Sequence, residues 1–544
     1  MKLSVNDKGG SAKYSYDDFT SGLIPQGQSN NSYSFKYNGI NGFAYADQID
    51  SDYLNGILSP GQAPTTNATG YTNLAGIVQS ISPINNNVGY AIDAGGKVQY
   101  ITNMASPSSL TIATGGSPSF PHTIAYTTGS GAYVGQDTLI YKHNYASNRL
   151  TSMFFTSYRG TSKWGVGILT NYWSVFEDEF LTNSAITNYL DFVNVDSVDI
   201  TQVNSPHPME IGADGLLYIG SGRYIHGYDG NTGTTGTYYS KVLTLPEGTT
   251  VIGMKKFQNM LLIAVNFDPA AYTATGYQGS SVSGMALVYT WDYLNLDVTT
   301  VIDCEDNIIS AISTWKGNPI VVTQGAYESN GSSKVKVISG NSVIMLASFD
   351  GILPTNRGLF TTATALYMNC GGDLYRIGSK FKQGYMVVKY GTLSSTGNTS
   401  GAFINLGGNF IGSTSNGGSP YYLGTTTYQT LGAGSCRFPY LTNLVPQGKK
   451  GRVVFLEVEY YAPQTATTGG VTVTINTDTG SSTTTVLSGV NTVTGNLLKR
   501  YTRDINGATL PSFSNFDIGV SFTTGGTPII SKIVVEYELL EITN

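Results

Sequence analysis

Apolar and polar residues alternate through residues 441–544. Val454, Leu456, Val458 and Tyr460 interleave with Phe455, Glu457, Glu459 and Tyr461. Val471, Val473 and Ile475 interleave with Thr472, Thr474 and Asn476. Phe516, Ile518, Val520 and Phe522 do so with Asp517, Gly519 and Ser521, and Ile533, Val535, Tyr537 and Leu539 with Val534, Glu536 and Glu538. In a strand successive side chains point to opposite faces. A period of two with one polar face therefore predicts sheets covered on one side and wet on the other. Several such strands between Gly/Thr turns predict a β-sandwich over 441–544, about 100 residues in all.

A different pattern fills residues 56–395. A Gly- or Asp-containing turn precedes a short apolar strand, then a second turn and a second strand. One copy runs Ala213-Asp214-Gly215, Leu216 to Ile219, a turn at Gly220-Ser221-Gly222, then Tyr224 to Tyr228. Another runs Val88 to Ile92, Gly95-Gly96, Val98 to Ile101; a third runs Ala365 to Met368, Gly371-Gly372-Asp373, Leu374 to Ile377. Looser copies are Asp137 to Tyr141, Met260 to Val265 with Ala286 to Tyr289, and Ile320 to Thr323 with Val335 to Ile338. The copies recur every roughly 40 to 60 residues, the length of a four-stranded propeller blade. Runs such as Leu261 to Val265 are apolar on both faces, which suits strands stacked between neighbouring sheets. The expected fold is all-β: a β-propeller of about six to eight blades followed by the C-terminal β-sandwich. A pair of large sandwiches is the alternative.

Residues 1–55 read as an N-terminal arm or edge strands, with Tyr33, Phe35 and Tyr37 alternating and tight-turn signals at Asn38-Gly39 and Asn41-Gly42. Residues 396–440, rich in Gly, Ser, Thr and Asn as in Ser413 to Gly418, read as a linker or as the first strands of the sandwich, the latter hinted by Phe403 to Leu406.

Composition agrees with strands. The 544 residues include 66 Gly and 38 Tyr, and only 12% are charged. Gly, Ser, Thr and Asn disfavour helices, while Thr, Val, Ile and Tyr suit a pleated surface. A net charge of −6 gives no basic footprint for gripping nucleic acid, so DNA is expected only in passive passage. Cys304, Cys370 and Cys436 are isolated and odd in number, which reads as buried inert thiols. The first residues, MKLSVNDKGG, lack a signal-peptide core, and no run of about 18 apolar residues predicts a membrane span.

Reactive constellations are sparse. His122, His143, His207 and His226 lie in no metal-ligand spacing, and no Gly-x-Ser-x-Gly elbow anchors a triad. The Gly-rich run Gly129 to Gly135 lacks the Lys-Ser/Thr ending of a phosphate loop. Propellers include glycosidases, so carboxylate pairs matter. The best clusters are Glu177-Asp178-Glu179 and Asp303, Glu305, Asp306, both read as solvated loop acids. Trp164, Trp173, Trp291 and Trp315 could stack on sugars, although aromatics more commonly pack between blades. No catalytic, cofactor or metal residue is assigned.

The layout resembles tailed-bacteriophage virion proteins that join a β-propeller to small β-sandwiches in the tail nozzle, hub or tail tip. The resemblance is carried by Gly56-Ile57-Leu58-Ser59-Pro60-Gly61 ahead of the repeats, by blades such as Gly215-Leu216-Leu217-Tyr218, and by Lys449-Lys450-Gly451-Arg452 leading through Val453 to Tyr461 and Ile533 to Leu540. It implies a structural, non-enzymatic virion component made in the host cytoplasm. It also implies a homo-oligomeric ring, often six-fold, around the DNA exit channel, with other tail or portal-adaptor proteins as neighbours. A receptor- or glycan-binding tail module is the second expectation, and a propeller glycosidase the third.

Overall fold

The computed structural model describes the strands named below and the short segments adjoining them. Side chains are described in residues 11–19, 43, 45–51, 56–61, 77, 78, 81 and 91, and with gaps from 208 to 541. Tyr33, Phe35, Tyr37, the Asn-Gly turns at 38–39 and 41–42, and Asp137 to Leu139 lie outside the described residues. Among the described residues all regular elements are strands, and no helix is long and apolar enough to cross a membrane.

The middle of the chain is a succession of small antiparallel meanders, each strand pairing with the next in sequence. The first spans 78–112, the second 126–153, and the third, with three described strands, 164–191. The fourth comprises Met209–Ile211, Leu217–Ser221, Tyr224–Asp229 and Thr237–Thr244. The fifth comprises Thr249–Phe257, Met260–Phe267, Met285–Trp291 and Thr300–Asp303. The sixth comprises Ile308–Trp315, Asn318–Gln324, Ser332–Ser339 and Ser342–Asp350, and the seventh Leu359–Thr361, Leu366–Cys370, Asp373–Ile377 and Val387–Thr392.

Turn chemistry explains why the chain reverses where it does. Cys370 pairs with Asp373 across a two-residue loop in which Gly371 and Gly372 have φ of 68° and 100°. A tight hairpin matching the strand twist needs positive φ at both loop positions, which Gly supplies without steric cost. In the fourth meander the turn falls one step later than the sequence implies. Gly220 and Ser221 belong to the strand, and the reversal is Gly222-Arg223, with Gly222 at φ 55°. Gly220 is there for space: a Cβ would lie 2.9 Å from Val251 Cγ1 in the fifth meander.

Neighbouring meanders pack through their first strands from the fourth to the seventh. Each junction has its own apolar cluster. Tyr218, Leu243, Ile263, Tyr289 and Trp291 fill the fourth–fifth junction. Ile252, Ala264, Ile302, Ile309 and Ile338 fill the fifth–sixth, and Trp315, Val335, Met368 and Tyr375 the sixth–seventh. Strands covered on both faces cannot alternate, and Leu366–Cys370 is buried at every position.

Within residues 396–440, read as a linker or as first sandwich strands, 397–431 extend this region and only Gly434–Arg437 joins the C-terminal sheets. Gly397–Leu406, Asn409–Asn416 and Tyr421–Leu431 form an eighth meander whose outermost strand, Gln62–Thr66, comes from far upstream. That upstream strand also meets the seventh meander, in parallel, at Gly391. Gly397–Leu406 packs against Val78–Pro83, and the Val78 amide donates to Ser413 Oγ at 2.9 Å.

Two five-stranded sheets complete the structure. One has the order Lys2–Asn6, Ser11–Tyr16, Ile529–Glu541, Lys449–Tyr461, Leu498–Asp504. The other has the order Tyr45–Asp47, Gly434–Arg437, Phe516–Phe522, Val471–Thr477, Gly480–Leu487. A single apolar cluster draws on both sheets, including Tyr14, Tyr16, Phe438, Leu456, Val473, Ile518 and Val535. Burial alternates strictly along Val471–Thr477. It does not along Lys449–Tyr461: Val453 is buried and Val454 is not. The register slips between Val453 and Phe455 opposite Ile529–Glu541. This bulge adds a residue and re-phases the strand, so Val454 leaves the face it shares by simple alternation with Leu456.

A candidate interaction surface

The fourth and fifth meanders bring together the most exposed apolar residues described with side chains. Met285–Trp291 and Thr300–Asp303 are joined by the sequence Asp292-Tyr293-Leu294-Asn295-Leu296-Asp297-Val298-Thr299. Leu294 and Leu296 are 88% and 89% exposed. Aliphatic side chains of that size normally gain about 1.5–3 kcal/mol each from burial.

The connection is held in shape. Asp292 Oδ1 accepts from the amides of Leu294 (3.1 Å) and Asn295 (3.0 Å), and Oδ2 accepts from Asn295 Nδ2 (2.6 Å). These bonds favour the ionised form and pull the Asp292 carboxyl below its ordinary range. An Asx turn of this kind replaces missing ladder bonds with side-chain ones. Trp291 Nε1 donates to Asn295 O at 2.7 Å, and the Thr299 amide donates to Thr290 O at 2.7 Å, closing the base.

Beneath lies an aromatic platform. Tyr293 packs on Tyr218 and Trp291 with centroid distances of 5.4 and 5.5 Å, and Tyr218 meets Trp291 edge-on at 5.3 Å. Tyr218 Oη donates to Asp214 Oδ2 at 2.5 Å, and burial with that carboxylate pushes the phenol far above its usual range. Gly212 makes this possible, since a Cβ there would lie 2.8 Å from Tyr293 Cε1. The turn at 212–216 is thus seated against the Leu294 connection, and exposed Ile211 flanks it. The outer strands of the fifth and sixth meanders adjoin and expose Val301, Ile344 and Met345.

The residues singled out from sequence are placed elsewhere. Asp303 is exposed and caps the Glu305 amide at 2.7 Å. Asp306 corrects the expectation of a solvated acid: its side chain is 2% exposed. It bonds Lys334 Nζ at 3.0 Å, Lys336 Nζ at 2.6 Å and Thr323 Oγ1 at 2.6 Å. Lys336 also donates to the Cys304 carbonyl. A buried carboxylate is tolerable when cations and hydroxyls satisfy it, and this one is engaged inside the sixth meander. Burial raises the Cys304 thiol to about 12, and burial also pushes the Cys370 and Cys436 thiols up; all three are buried and free. His226 is buried, and its Nδ1 accepts the Lys241 amide at 3.3 Å.

Trp291 and Trp315 are buried in the inter-meander clusters. His122, His207, Asp178 and Glu179 lie outside the described residues, as do the side chains of His143, Trp164, Trp173 and Glu177. Sequence reasoning did not single out Leu294 and Leu296. The available signal was the Asx-turn pattern Asp292-Tyr293-Leu294-Asn295, which places leucines in a turn where polar residues are expected.

No family model and no curated protein matches the chain. Among solved structures, the computationally designed Ika8 protein superposes with a TM-score of 0.41 at 11% identity, covering 68% of this chain and 99% of that one. Hydrazine synthase of Kuenenia stuttgartiensis gives 0.33 at 11% identity, covering 56% and 78%. YCF48 bound to a D1 peptide gives 0.33 at 9% identity, covering 65% and 94%.

Proposed function

We propose that the chain is an eight-bladed β-propeller carrying a two-sheet β-sandwich, and that it serves as a structural component of a bacteriophage tail. In this reading the meanders are blades, and the contact of the eighth with Val78–Pro83 of the first is the seam of the ring. Gln62–Thr66 supports the reading as a closing strand supplied from upstream. The two five-stranded sheets around one core support the sandwich. Copies of the chain assemble as a homo-oligomeric ring in the virion tail, around the DNA exit path. Tail and portal-adaptor proteins are its neighbours, and DNA passes without being gripped.

One observation carries the structural role: the rigid display of Leu294 and Leu296. A turn fixed by Asp292 and Trp291 loses little further entropy when a partner covers it, so burial of the leucines appears as affinity. Low charge across the chain also suits contact surfaces, where Lys and Glu are depleted. The glycan-binding alternative is less well supported, because Trp291 and Trp315 are packed inside. The glycosidase alternative loses Asp306, which is committed to Lys334 and Lys336.

The test is assembly of the purified chain, followed by light scattering and negative-stain microscopy. Rings are expected. Leu294→Ser/Leu296→Ser should weaken association about a hundredfold or more, since about 3–6 kcal/mol of apolar burial is lost, with tertiary structure unchanged. A wild-type chain that stays monomeric at high concentration, alone and with tail proteins, would sink the proposal.

A further inference from the structure

The segment 45–66 touches both paired sheets and the seventh and eighth meanders. Tyr45–Asp47 is an edge strand of one of the paired sheets, in register with Arg437, Cys436 and Ser435. Ile49–Asp50 pairs with Ser59–Pro60 and packs against Val387–Thr392 of the seventh meander. Leu58 exchanges backbone hydrogen bonds with Ile530 of the other paired sheet, both at 2.8 Å. Gln62–Thr66 then lies between the outer strands of the seventh and eighth meanders.

Charge ties this segment to the seventh meander at two points. Arg376 Nη2 and Nη1 donate to Asp50 Oδ1 and Oδ2 at 2.8 and 3.4 Å, and the two side chains are 0% and 2% exposed. Ser59 Oγ donates to the Asp50 carbonyl at 2.6 Å, fixing the hairpin that presents the acid. Lys389 Nζ stands between Asp47 Oδ1 at 2.8 Å and Asp373 Oδ2 at 3.0 Å. One ammonium therefore joins a carboxylate from a paired-sheet strand to one from a meander strand. Thr392 Oγ1 completes the group with a bond to Asp373 Oδ1 at 3.3 Å.

Sequence separation gives these contacts their consequence. Asp50 and Arg376 are 326 residues apart. A pair so remote and so buried forms only after both regions are in place, and removing either partner takes the opposite charge away from the other in a desolvated site. The same short segment also supplies the strand that joins the seventh and eighth meanders. One piece of chain thus both attaches the paired sheets and adds a strand between these meanders, beside the apolar cluster of Tyr367, Leu374, Phe403 and Phe410 that they share directly.

We propose that residues 45–51 and 56–66 form a strap that couples the paired sheets to the meander region and bridges the seventh and eighth meanders, with Asp50–Arg376 as its buried lock. The strap makes the two regions unfold as one unit. It also lets a load on the paired sheets reach the seventh and eighth meanders through Asp47, Asp50 and Gln62–Thr66, not through a flexible linker.

Hydrogen exchange of the intact chain, read by mass spectrometry beside calorimetry, tests the strap. Compared are the wild type, Asp50→Asn, Arg376→Met, the reversed pair Asp50→Arg/Arg376→Asp, and Lys13→Ala. The last removes an exposed ion pair to Glu536 within one paired sheet. Asp50→Asn and Arg376→Met should each speed exchange in 45–66, in 421–431 and in the paired sheets about a hundredfold or more, leaving 249–350 protected. Calorimetry should resolve two transitions where the wild type has one. Lys13→Ala should match the wild type. If a single variant is insoluble, the reversed pair should restore both solubility and protection. Uniform acceleration along the chain, a single transition in every variant, or failure of the reversed pair to restore protection would overturn the lock. None of these readouts depends on oligomer formation.

Discussion

Met285–Trp291 in the fifth meander buries six of its seven residues, and its partners are the strands immediately before and after it in the chain. Val471–Thr477 in the paired sheets buries every second residue, and one partner, Phe516–Phe522, lies well downstream. The contrast widens at the sheet edges. Ser11–Tyr16 pairs with Ile529–Glu541, and Tyr45–Asp47 with Gly434–Arg437, so the two ends of the sequence meet in the same sheets. Meanders obtain their hydrogen bonds locally and their apolar burial from adjacent meanders. The paired sheets obtain both from chain ends that must find each other, which carries a larger loop-closure cost.

This contrast predicts very different responses to damage. The largest effect is expected from removing residues 1–47. That deletes three strands, together with buried Tyr14, Tyr16, Phe19, Phe43 and Ala46. The paired sheets should lose protection from hydrogen exchange and proteolysis entirely, while the meanders at 249–350 stay protected. Equal loss in both regions would erase the distinction.

A smaller effect is expected within a meander. Ile263 is fully buried at the fourth–fifth junction. Ile263→Ala should cost about 2–5 kcal/mol in denaturant unfolding, through lost transfer energy and the cavity left behind. Local exchange should quicken in the fourth and fifth meanders first, while amides that exchange only by global unfolding lose the same protection in both regions, as a single strapped unit requires.

The smallest effect has the opposite sign. Tyr14 and Tyr16 sit side by side in the paired-sheet core with ring centroids 4.9 Å apart, and neither hydroxyl has a hydrogen-bond partner among the described residues. Burial holds both phenols above their ordinary range, so they are neutral. A buried hydroxyl without a partner costs about 1–3 kcal/mol of desolvation. Tyr16→Phe should therefore be neutral or stabilise by up to about 2 kcal/mol in chemical denaturation. A clear loss of stability would mean that the hydroxyl is satisfied, and that the core is less apolar than its packing implies.

Legibility followed the same divide. The strands of the fourth to seventh meanders that the repeat pattern singled out, such as Met260–Phe267 and Asp373–Ile377, stand within a few residues of their expected places, because Gly turns and apolar runs act over short distances. The strict alternation of Val471–Thr477 was equally readable. Val454 was misjudged, since the bulge beside it depends on pairing with Ile529–Glu541 and leaves no local trace. Asp306 looked like a loop acid because Lys334 and Lys336 approach it only through strands that come later in the chain. Leu294 and Leu296 looked ordinary, since exposure is a property of what surrounds a residue and not of its type.

The amino-acid order alone determined that this chain is all-β, where its shorter strands begin and end, and which faces of the C-terminal strands are apolar. Tertiary structure alone decided which strands neighbour one another across hundreds of residues. It joined Asp50 to Arg376, brought Gln62–Thr66 to the eighth meander, and left two leucines uncovered at a rigid turn. The physical reason is range. Backbone preference and side-chain alternation act between residues a few positions apart, whereas burial, bulges and ion pairs depend on partners that only the folded chain brings together.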